Sequence, residues 1–128
     1  MENEKRKLET DDILTKSAQK SLRIIEKLLK AMHEDIVELK SLKDLEKGSA
    51  KIAEKSERIN KIAVALQNSL DKEKGGQIAE NLDHLYKHVR FAAIRAFENH
   101  DFSYLESAEK VTREINEGWS KMSSAAAA

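Results

Sequence analysis

Apolar residues recur along this chain at alternating spacings of three and four, the step that stacks side chains on one face of an α-helix. The first run, Leu22, Ile25, Leu29, Met32, Ile36 and Leu39, predicts a helix over about residues 12–41. Asp11 and Asp12 stand where they would cap its free amides and oppose the positive end of its dipole. A second seam, Ile52, Ser56, Ile59, Ala63, Leu66 and Leu70, predicts a helix that ends near Asp71. Its start has two readings: Asp44 as N-cap with Gly48 tolerated inside, or a break at Gly48 with Ser49 as cap. Leu45 continues the seam and favours Asp44, which gives a helix over about residues 45–71.

Gly75 and Gly76 are adjacent, and glycine alone reaches positive φ freely, so the pair predicts a chain reversal. Ile78, Leu82, Leu85, Val89, Ala92 and Ala96 follow in register and predict a third helix over about residues 76–98. Asn99-His100-Asp101 interrupts it. Asp101 or Ser103 would then cap a fourth helix over about residues 102–122, and Ser103 with Glu106 has the spacing of a capping box. Leu105, Ala108, Thr112, Ile115, Trp119 and Met122 line that helix. Residues 123–128, Ser-Ser followed by four alanines, have no apolar face to dock and are expected to form a disordered tail. Short connections near residues 42, 73 and 100 leave no room for a crossover, so the expected fold is an all-α, antiparallel up-down-up-down four-helix bundle. At 128 residues it should form one domain over about residues 1–122.

Composition narrows the chemistry. The 23 basic and 23 acidic residues cancel, so no global field draws nucleic acid or anionic lipid. Cysteine and proline are both absent, which removes disulfides and thiolate sites and favours uninterrupted helices in a reducing cytoplasm. No apolar run approaches the roughly 18 residues of a membrane span, and Met1-Glu2-Asn3-Glu4-Lys5-Arg6 lacks the apolar stretch of a signal peptide. His84 and His88 are one helical turn apart, yet two ligands do not make a metal site, and solvated histidines explain them. Carboxylates such as Glu34, Asp35 and Glu54 sit among lysines, where helix-surface pairing accounts for them. Ser17, Ser21 and Ser56 have no glycine elbow or base, and Gly75-Gly76 is too short to cradle phosphate. No catalytic residue, metal ligand or cofactor is expected.

Some apolar residues exceed what the bundle needs. At about 100° per residue, Phe91 and Ile94 fall nearly opposite the third seam and should face outward. Ile24, Leu28 and Leu42 widen the first helix beyond one stripe. Either the packing is broad, or a partner covers this surface.

The stretch Ser69-Leu70-Asp71-Lys72-Glu73-Lys74-Gly75-Gly76-Gln77-Ile78-Ala79-Glu80-Asn81-Leu82, followed by Leu85-Tyr86, closely resembles the middle of the flagellin-specific export chaperones, the FliS family. The likeness continues through Asn99-His100-Asp101, Tyr104-Leu105 and Trp119, covering about residues 44–122. At the front it departs. The family's tyrosine-containing arm, Thr-Ala-Ser-Pro-like helix start and Leu-Tyr-Asp-Gly-like stretch are replaced by Leu14-Thr15-Lys16-Ser17-Ala18 and Lys27-Leu28-Leu29-Lys30-Ala31. The resemblance implies a helical bundle that holds the disordered C-terminal segment of flagellin in the cytoplasm, blocks premature polymerisation and aids delivery to the export gate. It implies neither catalysis nor cofactor. Carried onto matching positions, Gly75 and Gly76 would form the turn, while Ile78, Leu82, Leu85 and Tyr86 would stand beside the client groove. Ile59, Ile62 and Leu66 would contribute from the second helix, and outward-facing Phe91 and Ile94 would add client-binding surface. Each of Ile78, Leu82 and Leu85 also has a core role open to it. Tyr86 sits off the seam centre with a hydroxyl that can stay wet, and Trp119 is expected to anchor the core. The alternative function is a four-helix interaction module that binds another amphipathic helix or itself, with the oligomeric state left open.

Overall fold

The computed structural model describes the backbone of residues 2–127 and the side chains of Lys16 and residues 19–122. Four α-helices account for the described chain: α1 Glu2–Ser41, α2 Ala50–Asn68, α3 Lys72–Asn99 and α4 Leu105–Ala127. α1 packs mainly on α2 and α4, and α3 mainly on the same two, so the four helices form a ring around one core. Leu29, Met32, Ile36 and Leu39 of α1 meet Ile52, Ile59, Ala63 and Leu66 of α2 there, each at most 1% exposed. Val89, Ala92, Ala93 and Ala96 of α3 and Leu105 and Ala108 of α4 complete it. Small residues on α3 let its backbone lie close to its neighbours.

Paired residues fix the register. Lys55 bonds Asp35 and Glu38, Ser56 Oγ donates to the Ala93 carbonyl at 2.7 Å, and Gln67 Nε2 donates to Asp83 Oδ1 at 2.9 Å. His33 lies 2.7 Å from Thr112 Oγ1, and Lys40 donates to Glu109 at 3.1 Å. Between α1 and α4, and between α2 and α3, ascending positions on one helix meet descending positions on the other. Asp35, only 4% exposed, is offset by Lys55 at 3.3 Å and by Arg58 Nε, which lies 2.9 Å from Oδ2 as an ion-pair contact without hydrogen-bond alignment.

The helix ends differ from the sequence reading in several places. α1 begins at Glu2 rather than near residue 12. Its first turns are rich in Glu, Lys, Arg and Leu, all good helix formers, so helix extends without an apolar seam. The expected caps Asp11 and Asp12 have side chains outside the described residues. α2 begins at Ala50 after a break, with Gly48 at φ +87° and Ser49 at the N-cap; the Asp44 start and Leu45's place in the seam are corrected, and Leu45 is exposed. A residue at that φ costs an L-amino acid strain, which glycine avoids, so the chain turns there. α3 spans Lys72–Asn99, but Gly76 is non-helical, so one turn capped by Asp71, which accepts from the Lys74 amide at 3.1 Å, precedes the helix expected from about residue 76. Finally, α4 continues to Ala127, because alanine is the best helix former and needs no docking face to extend a formed helix. Its start also lacks the expected box: Asp101 accepts from the Ser103 amide and hydroxyl at 3.0 and 2.6 Å, forming its own turn before the helix.

Candidate functional site

The four helices are unequal, and the inequality leaves one end of the core uncovered. α1 has 40 residues and spans about 60 Å, whereas α2 has 19 and spans about 28 Å. Beyond Asn68 no second-helix wall continues. There, Ile25 of α1, Leu70, Ile78, Ala79 and Leu82 beside α3, Tyr86, and Trp119 of α4 line a shallow apolar cleft of ≈ 320 Å³. Three residues that the spacing places on core seams are exposed at this same end: Leu22 at 39%, Ile78 at 72% and Met122 at 66%. An apolar residue on the core side of a helix stays wet only if nothing is opposite to cover it.

The Gly75-Gly76 pair shapes this end. Gly76 lies at φ 51°, ψ −126°, inside a region open to glycine, and kinks α3 one turn after it begins. A Cβ on Gly75 would sit 2.8 Å from the Ala79 Cβ, too close for any side chain without movement. Gly75 lines the cleft, and Gly76 breaks the helix there with a positive φ, at the position where the sequence placed a turn.

From Val89 backwards, the buried face of α3 steps through Tyr86, Asp83 and Ala79, one residue on from the expected Leu85, Leu82 and Ile78. Both series obey the same spacing. α2 decides between them: Gln67 binds Asp83, and Asn60 and Gln67 bind Arg90, which turns that side of α3 inward. Leu82 is left half-buried against the core edge, Leu85 half-buried, and Ile78 open. Tyr86 is 3% exposed as a residue and lines the cleft from beneath, and burial pushes its phenol up to about 12. Trp119 packs on the core edge as well as lining the cleft. Ile59, Ile62 and Leu66 are buried and form the floor of the bundle beneath the surface rather than a surface of their own.

A second apolar area lies on the outer side of α3. Phe91 and Ile94 do face outward, at 45% and 38% exposure, and Phe97 and Tyr104 join them. Phe91 and Tyr104 meet edge to face with centroids 5.0 Å apart, and the Arg95 guanidinium lies 5.9 and 5.8 Å from the two ring centroids. Phe97 escaped the sequence reading, although its spacing of three from Ile94 was the available signal.

Elsewhere several carboxylates are tied into the fold. The Gln67 amide, then Lys87 and Lys72, hold the Asp83 carboxyl far below the usual range. Ser103 lowers Asp101, and Lys40 lowers Glu109 beside an open polar cleft that also includes Glu106, Lys110 and Arg113. His88 Nε2 lies 2.7 Å from Ser107 Oγ; that hydroxyl donates to the Tyr104 carbonyl, so the imidazole donates to it. Among the described residues no three His, Cys, Asp or Glu side chains converge as a metal site, and no helix is long and apolar enough to cross a membrane.

A protein-family model described as Flagellar protein FliS matches residues 1–126. The chain belongs to the FliS family. The match extends through the N-terminal third, which the motif likeness over about residues 44–122 left out. This FliS-family chain is 37% identical to the flagellar secretion chaperone FliS of Salmonella typhimurium over 53% of its own length and 50% of that protein. It is 34% identical to the flagellar secretion chaperone FliSB of Pseudomonas aeruginosa over 45% of its length and 46% of that protein. For the flagellar secretion chaperone FliS of Vibrio cholerae the identity is 28% over 83% of the chain and 77% of the relative. The matches thus span about half the length of the Salmonella and Pseudomonas relatives. No solved structure matches significantly.

Proposed function

We propose that this chain is a cytoplasmic flagellar export chaperone, without enzymatic activity, that binds the disordered C-terminal segment of flagellin. It holds the segment against premature polymerisation and helps deliver it to the export gate. The observation that carries this reading is the apolar cleft at the end of the bundle, lined by Ile25, Leu70, Ile78, Leu82, Tyr86 and Trp119, with Ile78 72% exposed, in a chain of the FliS family. A disordered amphipathic segment folds only when a partner buries its apolar face, and an unfinished bundle offers that partner a place. In this account the bundle is antiparallel, up-down-up-down, a topology supported by the reversed order of paired residues between neighbouring helices.

Ile78 and Leu82, with Ile25 and Trp119 opposite, supply the end contacts, and Phe91 and Ile94 supply a second contact farther along α3. Leu85 and Tyr86 support that surface from its edge and from beneath. Ile59, Ile62 and Leu66 hold α2 and α3 together under it. Calorimetric titration with the C-terminal segment of flagellin from the same source, beside a scrambled peptide of equal composition, tests the proposal. Saturable one-to-one binding with a negative heat-capacity change is expected, because apolar surface is buried. A folded sample that ignores the segment and changes mass with concentration would favour self-association instead.

A further inference from the structure

The seam between α2 and α3 carries more positive charge than it neutralises. Arg90 donates from Nε to Asn60 Oδ1 at 2.9 Å and from Nη1 to Gln67 Oε1 at 2.8 Å. Both acceptors are neutral amides, and among the described residues no carboxylate bonds Arg90. Gln67 continues the network to Asp83, whose carboxylate is shared by Lys72 at 3.4 Å and Lys87 at 3.0 Å. Lys72 and Lys87 therefore share the single negative charge of Asp83, and Arg90 is linked to it only through the neutral Gln67 amide. Glu57, on the neighbouring surface of α2, is taken by Lys61 at 3.1 Å.

Apolar residues adjoin this charge. Arg90, Ile94 and Phe97 follow at spacings of four and three, so they line one side of α3 over about 10 Å. Ile94 and Phe97 are both substantially exposed, while Arg90 is half-buried. Two amides already fix the guanidinium, and three of its five N–H groups remain for another acceptor. A planar fork held in place in this way loses little freedom on meeting a carboxylate. The total charge of the chain is zero, which suits one acidic side chain better than an anionic membrane or a nucleic acid backbone.

The geometry points to Arg90 as a specificity-determining residue. An amphipathic segment of the client docks on the α2–α3 face with apolar side chains on Ile94 and Phe97, and places a carboxylate on Arg90 about two helical turns away. This inference rests on the client reading above and adds to it the acidic character of the bound segment.

The test titrates the flagellin C-terminal segment, and the same peptide with Asp and Glu changed to Asn and Gln, into the wild type, Arg90→Gln and Arg90→Lys. Helical content and melting are recorded for each protein. The amide peptide is expected to bind the wild type about tenfold more weakly, as for loss of a charge-assisted bidentate contact. Arg90→Gln should lose the same factor for the acidic peptide and no longer separate the two, while Arg90→Lys should keep part of the separation. Equal wild-type affinity for both peptides would overturn the inference and leave the client reading standing, even if Arg90→Gln fails to fold. An equal loss for both peptides in folded Arg90→Gln would overturn it too. Failure of the folded wild type to bind the acidic segment at all would instead overturn the client reading, and this inference with it.

Discussion

The closed middle of the bundle and its open end use the same kind of residue at the same spacing, and only one of them is dry. In the middle, Met32, Ile36, Ile59, Leu66 and Val89 are inaccessible because helices stand on every side. At the end, Leu22 and Met122 continue two of those seams into solvent, where α2 has already stopped, and Ile78 lies open beside the buried Ala79. A helical seam therefore says which way a side chain points; the neighbour's length says whether it is buried.

The largest expected effect lies in the middle. Ile59→Ala should destabilise the protein by about 2–5 kcal/mol, since it removes packing and leaves a cavity among fixed neighbours. An unchanged denaturant midpoint would show that the two regions do not differ. Leu85→Ala, half-buried, should cost clearly less than Ile59→Ala; an equal loss would return Leu85 to the core. Next comes the junction between the regions: Gly76→Ala forces an L-residue into the glycine-only kink and should cost about 1–3 kcal/mol, read as a fall in Tm. A neutral substitution would mean that the kink is free to straighten and does not shape the open end.

The seams as a whole are legible in the amino-acid sequence. Four helices, the buried runs of α1 and α2 and the outward turn of Phe91 and Ile94 all follow from spacing alone. The buried side of early α3 does not, because the series ending in Leu85 and the series ending in Tyr86 satisfy the same period, and only the grip of Gln67 and Asn60 separates them. Gly48 is readable either as a tolerated helix residue or as a break; its positive φ settles which.

A smaller effect is expected from acid. Asp83, Asp101 and Glu109 have folded-state pKa values below their unfolded ones, so their contribution is present above about pH 4 and is lost as pH falls through the lowered values. Denaturant titrations between pH 5 and about pH 2 should show stability falling, with Asp83→Asn flattening the curve. Screening keeps the loss modest, because Lys72 and Lys87 are mostly exposed. No flattening would remove Asp83 from the forces joining α2 to α3. The smallest stability change belongs to the open end: Ile78→Ser should shift unfolding by less than about 0.5 kcal/mol, as exposed substitutions do, while weakening binding of the flagellin segment. A large melting loss would place Ile78 in the core after all.

The sequence by itself determined the helix count, the apolar seams and the family resemblance, since periodicity and local motifs are properties of neighbouring residues along one chain. Tertiary structure alone decided which parts of those seams are covered, because burial depends on where another helix ends. It also decided that Arg90 is held by amides rather than a carboxylate, a fact that arises only when α2 and α3 lie side by side.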